Sequence, residues 1–194
     1  MINAVTNIRT QNIPQETIIL QLEKLNREIR EIGDFLKKET LNSEEVLRLG
    51  SGLALDLSRS VNELFYEVFS STLQRDDLKY FSDIKVKTRS FEPLNDKYLS
   101  IKCKRELCQF LEESLCNVGK HAKGVKRIQV VGKINQGWYY LSIKDNECGI
   151  KTLGISKSTK QSKALANKLS GQFIRRSISP KETLCEISWP LKRN

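Results

Sequence analysis

The sequence predicts an α+β protein in which a helical N-terminal part precedes a domain of helices and strands. Apolar residues recur every three or four positions over residues 18–36 and 107–118, which is the period of a helix with one buried face. Short apolar runs that end in turn residues, over 141–150 and 170–191, are typical of strands. With 194 residues, 39% of them hydrophobic and 29% charged, the chain is large enough to bury a core and too apolar to be disordered throughout.

The composition argues against several classes of protein. No apolar run approaches the ~20 residues that span a bilayer, and the N-terminus has no signal-peptide core, so we expect a cytoplasmic protein without a membrane partner. The net charge is +10, but Lys and Arg are spread along the chain without a nucleic-acid motif, which argues against nucleic acid as a partner. The five cysteines form no C-x-x-C pair and the chain has one histidine, so buried thiols are expected rather than a zinc site.

The N-terminal part is predicted to be a flexible arm, residues 1–14, followed by a helical hairpin over residues 15–76. The arm shows no sustained hydrophobic period. The first helix of the hairpin carries a seam at the two apolar positions of a heptad, formed by Ile18, Leu22, Leu25, Ile29, Ile32 and Leu36.

The second helix of the hairpin is predicted to begin at Asn42 and Glu45, a plausible capping pair. Gly50 and Gly52 are weak points in it, because glycine lowers helix propensity. Two helices with apolar seams still have surface to bury, and they would either pair with a second copy of the chain or pack against the following domain. The apolar positions of the second helix are Val46, Leu49, Leu53, Leu57, Val61, Leu64 and Val68.

Residues 77–194 are predicted to form one domain that begins with a strand. Residues 84–89 alternate between apolar or neutral and basic side chains, as in a strand with one buried and one solvated face. A helix follows over residues 105–124. Its apolar face consists of Leu107, Phe110, Leu111, Leu115 and Val118.

The same helix carries a row of polar residues. Glu113, Asn117 and His121 are spaced four apart and therefore lie on one line along the helix. This row suits a cation bound to a phosphate, because hard cations prefer oxygen ligands and the carboxylate could orient or deprotonate an attacking group. The alternative is an ordinary solvated helix face.

Here the sequence resembles the ATP-binding catalytic domain of two-component sensor histidine kinases, which belong to the Bergerat-fold ATPases. Glu113, Asn117, Lys120, His121 and Ala122 match that family's E-x-x-x-N-x-x-K-H-A box. The resemblance implies a two-layer α/β sandwich, with a mixed sheet covered by helices, that binds ATP and Mg²⁺. It implies Glu113 as base or orienting carboxylate and Asn117 as the magnesium ligand, with Lys120 beside the nucleotide and His121 as a ligand or a structural hydrogen-bonding residue. The stretches LCQFLEESLCNVGKHAKG and CEISWPL are similar to a group of cyanobacterial sensor kinases.

The family's two glycine boxes are matched only in part. The second box is D-x-G-x-G, whose Asp binds the adenine amino group; here Asp145 and Gly149 are kept and Glu147 replaces the first glycine. The third, a G-x-G in the lid over the phosphates, falls on residues 156–159, which contain no glycine, and residues 163–173 resemble the helix and glycine turn beside that lid. Glycine lets backbone amides approach phosphate oxygens, so weak or absent ATP binding is expected. At a cost on the order of 1–2 kcal/mol for each substitution, affinity falls by about one to three decades.

The resembled kinases carry a phosphoacceptor histidine on a dimeric helical hairpin before the ATP-binding domain. This chain's one histidine, His121, lies inside the ATP-binding box, so we expect no conventional autophosphorylation, provided that the protein begins at Met1. One hypothesis is a regulatory pseudokinase that forms a homodimer through its hairpin and binds a sensor kinase or response regulator. The other is an active ATP-binding subunit that phosphorylates a His, or a Ser, on a separate protein. The intact Glu113, Asn117 and Asp145 motivate the second hypothesis.

Overall fold

A computed structural model of the chain describes residues 19, 21–26, 28–29, 45–121, 124–146, 157–179 and 182–191. The chain divides into two compact units, Met1–Ser43 and Glu44–Asn194. In the first unit the described residues are helical, and the apolar side chains at positions 19, 22, 25 and 29 are exposed. The predicted arm, residues 1–14, lies outside the described residues.

The described residues of the second unit form a small β-hairpin, three helices and a five-stranded sheet. The sheet order is β3-β4-β5-β7-β6, in which β3 and β4 are parallel and the other pairs antiparallel. The predicted α+β class with a mixed sheet is therefore confirmed. In chain order the elements are β1 (Val46–Arg48), β2 (Ala54–Asp56), α1 (Val61–Leu73), a 3-10 turn (Phe81–Asp83), β3 (Val86–Phe91), α2 (Ile101–His121), β4 (Arg127–Asn135), β5 (Trp138–Asp145), α3 (Lys157–Lys168), β6 (Gln172–Ser179) and β7 (Glu182–Pro190).

The predicted second helix is wrong over residues 46–56, which form the antiparallel β1–β2 hairpin. Leu47 and Leu55 pair across the hairpin and are buried, whereas their neighbours along each strand are exposed. The apolar period in this segment is therefore two, not 3.6. Gly52 in the turn has a φ of 88°, in the left-handed region that favours glycine. The glycines that weaken the helix prediction mark a chain reversal.

Helix α1 belongs to the core of the second unit rather than to a separate hairpin. Val61, Leu64 and Val68, three apolar positions of the predicted second helix, are fully buried in one cluster with residues of α2. The sequence analysis left open whether this apolar seam pairs with a second copy of the chain or packs against the following domain. The structure shows packing against the following domain. The predicted boundary at residue 76 therefore falls after an element that shares the domain core.

The core lies between the three helices and one face of the sheet. Alternate residues of β5, Tyr139, Leu141 and Ile143, are buried against the helices, as the period of two along a strand requires. We call this the inner face of the sheet. The opposite, outer face carries exposed polar side chains on β4, β5 and β6. The result is a two-layer sandwich, in agreement with the predicted fold.

A buried ion pair ties the start of α1 to α2. The Lys104 Nζ lies 2.9 Å from the Asp96 Oδ2 and donates a 2.7 Å hydrogen bond to the carbonyl oxygen of Arg59. The same Asp96 oxygen accepts a 2.7 Å bond from the backbone N–H of Val61, the first residue of α1. Since Ser60 makes no side-chain capping bond, Asp96 supplies the cap from a distant part of the chain.

Candidate functional site

A cavity of about 880 Å³ lies between α2, α3 and the inner face of β5 and β7. Four of the six predicted site residues line it: Glu113, Asn117, Lys120 and Asp145. The structure thus brings the polar row of α2 and the acidic end of β5, which are more than twenty residues apart in the sequence, into one site. His121 is the last residue of α2, with a side chain outside the described residues, and Gly149 also lies outside them.

The polar row on α2 is organised by a hydrogen bond within the helix. The Asn117 Nδ2 donates to the Glu113 Oε1 at 3.3 Å, one helical turn away. Because the amide nitrogen faces Glu113, the amide oxygen of Asn117 remains as its acceptor. The apolar residues on the opposite face of α2, such as Leu111 and Leu115, are fully buried and fix the rotation of the helix. The amphipathic sequence therefore determines which side chains α2 presents to the cavity.

The sheet contributes a buried carboxylate and a buried hydroxyl. Asp145, at the end of β5, is 8% exposed, and its neighbour on β7 is Thr183. Thr183 is 7% exposed and lines the cavity, and its Oγ1 is buried without a hydrogen-bond partner among the residues that the structure describes. A buried hydroxyl without a partner costs free energy and suggests a missing ligand or water. Sequence reasoning missed Thr183, because nothing in β7 distinguishes it until the strands are paired.

One end of the cavity is closed by a network around Arg75. The Glu112 Oε1 accepts a 2.6 Å hydrogen bond from the backbone N–H of Gly50 and lies 3.6 Å from the Arg75 Nη1. The hydrogen bond to Asp77, together with the negative charges nearby, raises the pKa of the Arg75 guanidinium above its usual value. This network attaches the β1–β2 turn to α2 one residue before Glu113. The sequence analysis missed this network, because it assigned the β1–β2 turn to a helix.

The other end of the cavity has an apolar wall and a cross-link between helices. The rings of Phe110 and Phe173 pack edge to face with centroids 6.1 Å apart. The Lys168 Nζ lies 2.5 Å from the Glu106 Oε1, which joins α3 to α2. Arg175 also lines the cavity. The walls therefore combine apolar surface for a flat ring with cations for an anionic group.

The segment predicted to contain the third box is described only in part. Residue 156 lies outside the described residues, whereas residues 157–159 form the first turn of α3. Ser158 and Thr159 line the cavity. Where the resembled family has a glycine-rich lid, this chain therefore places hydroxyl side chains beside the cavity.

The cysteines near the cavity are not activated nucleophiles. Burial raises the pKa of both the Cys116 and the Cys185 thiol, so both are protonated at neutral pH. Cys148 lies outside the described residues. Within the described ranges no three His, Cys, Asp or Glu side chains converge on a point that could hold a metal.

Solved structures of histidine kinases are similar to this chain in fold. The histidine kinase domain of the Erythrobacter litoralis EL346 blue-light activated kinase aligns with a TM-score of 0.53 at 15% identity, over 66% of this chain and 65% of that one. The mycobacterial sensor histidine kinase MprB aligns with a TM-score of 0.51 at 18% identity, over 68% of this chain and 96% of that one. The Acinetobacter baumannii histidine kinase AdeS aligns with a TM-score of 0.51 at 13% identity, over 96% of this chain and 90% of that one.

These similarities concern the fold. This chain spans just under two thirds of the EL346 domain. Neither a protein-family model nor a curated protein sequence matches the chain. Among the residues that the structure describes, no helix is both long and apolar enough to cross a bilayer. The five-stranded mixed sheet, the helices on its inner face and the polar row on α2 together give this chain the fold of a histidine kinase catalytic domain.

Proposed function

We propose that the cavity binds ATP with Mg²⁺, weakly, and that the chain is a regulatory pseudokinase module of two-component signalling. The observation that carries the nucleotide assignment is the buried, unpaired hydroxyl of Thr183 next to Asp145, in a cavity whose other wall holds the Glu113–Asn117 pair. A hydroxyl and a carboxylate side by side recognise the polar edge of a heteroaromatic ring, since the carboxylate accepts from an amino group.

The dimensions and chemistry of the cavity fit this ligand. Its volume of about 880 Å³ lies within the range of small-molecule sites. In this assignment the adenine amino group donates to Asp145, and Ile143, two residues away on the same face of β5, contacts the base. Three further residues that line the cavity would donate hydrogen bonds to phosphate oxygens: Lys120, Ser158 and Thr159.

Asn117 would supply the protein ligand of Mg²⁺, because magnesium takes few protein oxygens and completes its shell with phosphate and water. Bound Mg²⁺ would neutralise charge between the phosphates. Glu113, held by Asn117, would orient a water or hydroxyl group beside them.

The regulatory assignment rests on the sequence of the boxes. Glu147 replaces a glycine, and residues 156–159 contain none. Phosphoryl transfer depends on accurate positioning of the phosphates, so the loss of close backbone contacts lowers transfer more than binding. The only histidine of the chain, His121, lies in the nucleotide box rather than on a separate acceptor helix.

Calorimetric titration with Mg-ATP, combined with a phosphotransfer assay on added histidine kinases and response regulators, tests this function. We expect saturable binding in the high micromolar to millimolar range and no transfer of labelled phosphate. Absence of binding at several millimolar Mg-ATP would exclude the nucleotide assignment. Transfer that Asn117→Ala abolishes would exclude the pseudokinase assignment.

A second candidate is a kinase subunit that phosphorylates a His or Ser on another protein. The Glu113–Asn117 hydrogen bond favours it, because it holds a carboxylate at the cavity wall where a base would act. The phosphotransfer assay described above distinguishes the two candidates.

Replacing Thr183 with valine separates ligand binding from folding. We expect Thr183→Val to weaken Mg-ATP binding roughly five- to tenfold through loss of one hydrogen bond. The same change stabilises the nucleotide-free protein by about 1 kcal/mol, because an isosteric methyl replaces a buried hydroxyl without a partner. Calorimetry and urea denaturation measure the two effects. A variant with lower stability and unchanged affinity would show that Thr183 serves the fold instead.

We propose that the chain self-associates through the helix that includes residues 19–29. Helix α1 is not available for this contact, because its apolar side chains are buried in the core of the second unit. Three positions of the seam predicted to pair, Leu22, Leu25 and Ile29, are 38–58% exposed. We expect light scattering to report a dimer that Leu22→Lys and Ile29→Lys together convert to a monomer. Glu23→Gln and Glu28→Gln, a double change on the same helix, make the same change in net charge, +2, and control for it. A dimer that survives the seam variant would contradict this arrangement.

The further partner that we propose is a sensor kinase or a response regulator.

A further inference from the structure

The outer face of the sheet carries four basic side chains from three strands. Arg127 and Lys133 on β4, Lys144 on β5 and Arg176 on β6 are all exposed and all lie on the face opposite the helices, because each is one residue out of phase with a residue of the inner face. None of these four cations forms an ion pair with any residue that the structure describes. Their separation in the sequence, up to 49 positions by residue number, hides this cluster from sequence analysis.

Two aromatic residues lie within the same face. Trp138 and Tyr140 alternate with the buried Tyr139 along β5, so both project outward, and both are partly exposed. Tyr140 pairs directly with Lys133 on the neighbouring strand. Lys144 and Arg176 flank Leu184 of β7 from either side, which places them about two strand spacings, ~10 Å, apart. Lys133 therefore lies beside the aromatic side chains at one end of the outer face, and Arg127, Lys144 and Arg176 lie toward its opposite end.

The negative charge on this face is partly withdrawn from solvent. Glu186, on the same face of β7, is partly buried, and burial raises the pKa of its carboxyl, while Lys133, Lys144 and Arg176 act in the opposite direction. Glu182, which begins β7, is also partly buried. The exposed charge of the outer face is consequently positive.

We propose that this outer face binds single-stranded nucleic acid. Exposed cations attract the phosphate backbone, and aromatic side chains on a sheet stack with unpaired bases, as in sheet-based RNA-binding domains. An acidic protein surface would use the same cations, and the Tyr140 variants described below distinguish it from a strand whose bases stack. The site is independent of the proposed nucleotide cavity, because it lies on the opposite side of the sheet.

The test is fluorescence anisotropy of labelled 12-nucleotide U and dT strands with the full chain, over a series of salt concentrations. We expect saturable binding at low salt, with a slope of log affinity against log salt of about −3 for four cations. Lys133→Glu with Lys144→Glu reduces affinity roughly tenfold or more. Lys102→Glu with Lys163→Glu, which makes the same change in net charge on exposed positions of α2 and α3, leaves affinity within about threefold.

Four further variants test the mechanism. Tyr140→Ala weakens binding about tenfold and Tyr140→Phe restores it, since the ring and not the hydroxyl stacks. Glu186→Gln strengthens binding by removing a carboxylate from the centre of the face. Asp145→Asn leaves oligonucleotide binding unchanged, so failure of this inference and failure of the proposed function are distinguishable.

Several outcomes would overturn the inference. No binding at low salt excludes the site, and equal losses in the two double variants mean that net charge alone attracts the strand. Binding that depends on Lys133 and Lys144 but is indifferent to Tyr140 would identify a general polyanion surface suited to an acidic protein. Circular dichroism of each variant checks that the sheet is intact.

Discussion

Replacing Asp145 with asparagine is expected to reduce the affinity for Mg-ATP roughly 10- to 150-fold, which corresponds to the loss of one charge-assisted hydrogen bond of about 1.5–3 kcal/mol. Asp145 is 8% exposed at the end of β5 and lines the cavity, so its carboxylate faces little competition from water. Titration calorimetry of both proteins against Mg-ATP measures the ratio.

The sign of this effect distinguishes base recognition from simple charge attraction. Asp145→Asn makes the cavity more positive, which by itself would favour an anionic nucleotide. Weaker binding therefore requires a specific contact with the carboxylate. Asp83→Asn, which removes an exposed carboxylate from the 3-10 turn, is the matched control and should bind like the wild type. If Asp145→Asn binds equally well or more tightly, the base does not contact Asp145.

The largest effect on stability is expected from Asp96→Ala, which should lower the free energy of unfolding by about 3–5 kcal/mol. The change leaves the Lys104 ammonium, 8% exposed at its side chain, without its 2.9 Å partner. It also removes the acceptor for the N–H of Val61 at the start of α1. Urea denaturation followed by circular dichroism measures the loss.

A double variant tests whether the cost comes from the unpaired charge. Asp96→Asn with Lys104→Met keeps an acceptor for Val61 and removes the ammonium, so we expect it to be at least ~2 kcal/mol more stable than Asp96→Ala. Glu63→Ala breaks the exposed pair with Arg59, and this control should change stability by less than about 1 kcal/mol. A loss below ~1 kcal/mol in Asp96→Ala would show that water reaches Lys104 readily.

Much of the fold could be predicted from local pattern. The seam of Leu107, Leu111 and Leu115 predicts α2 and its rotation, because a 3.6-residue period forces one face inward. The same spacing places Glu113 and Asn117 together, as observed. The strands predicted over residues 170–191 are also confirmed, and they pair antiparallel as β6 and β7.

The β1–β2 hairpin could not be predicted with the same ease. Leucines at positions 47, 49, 53, 55 and 57 satisfy both a helical and a strand period over so short a stretch. Burial decided between them, because Leu47 and Leu55 meet across the turn whereas Leu53 remains 39% exposed. Tertiary packing therefore overrode the helical interpretation.

By itself the sequence determined the amphipathic helix α2 and the residues of the polar row, since these depend on spacing within one segment. Only the tertiary structure decided that α1 joins the domain core, that Thr183 lies beside Asp145, and that Lys133, Lys144 and Arg176 share one face. Those relations depend on strand pairing between distant segments. Pairing register sets which side chains meet, and no local period encodes it.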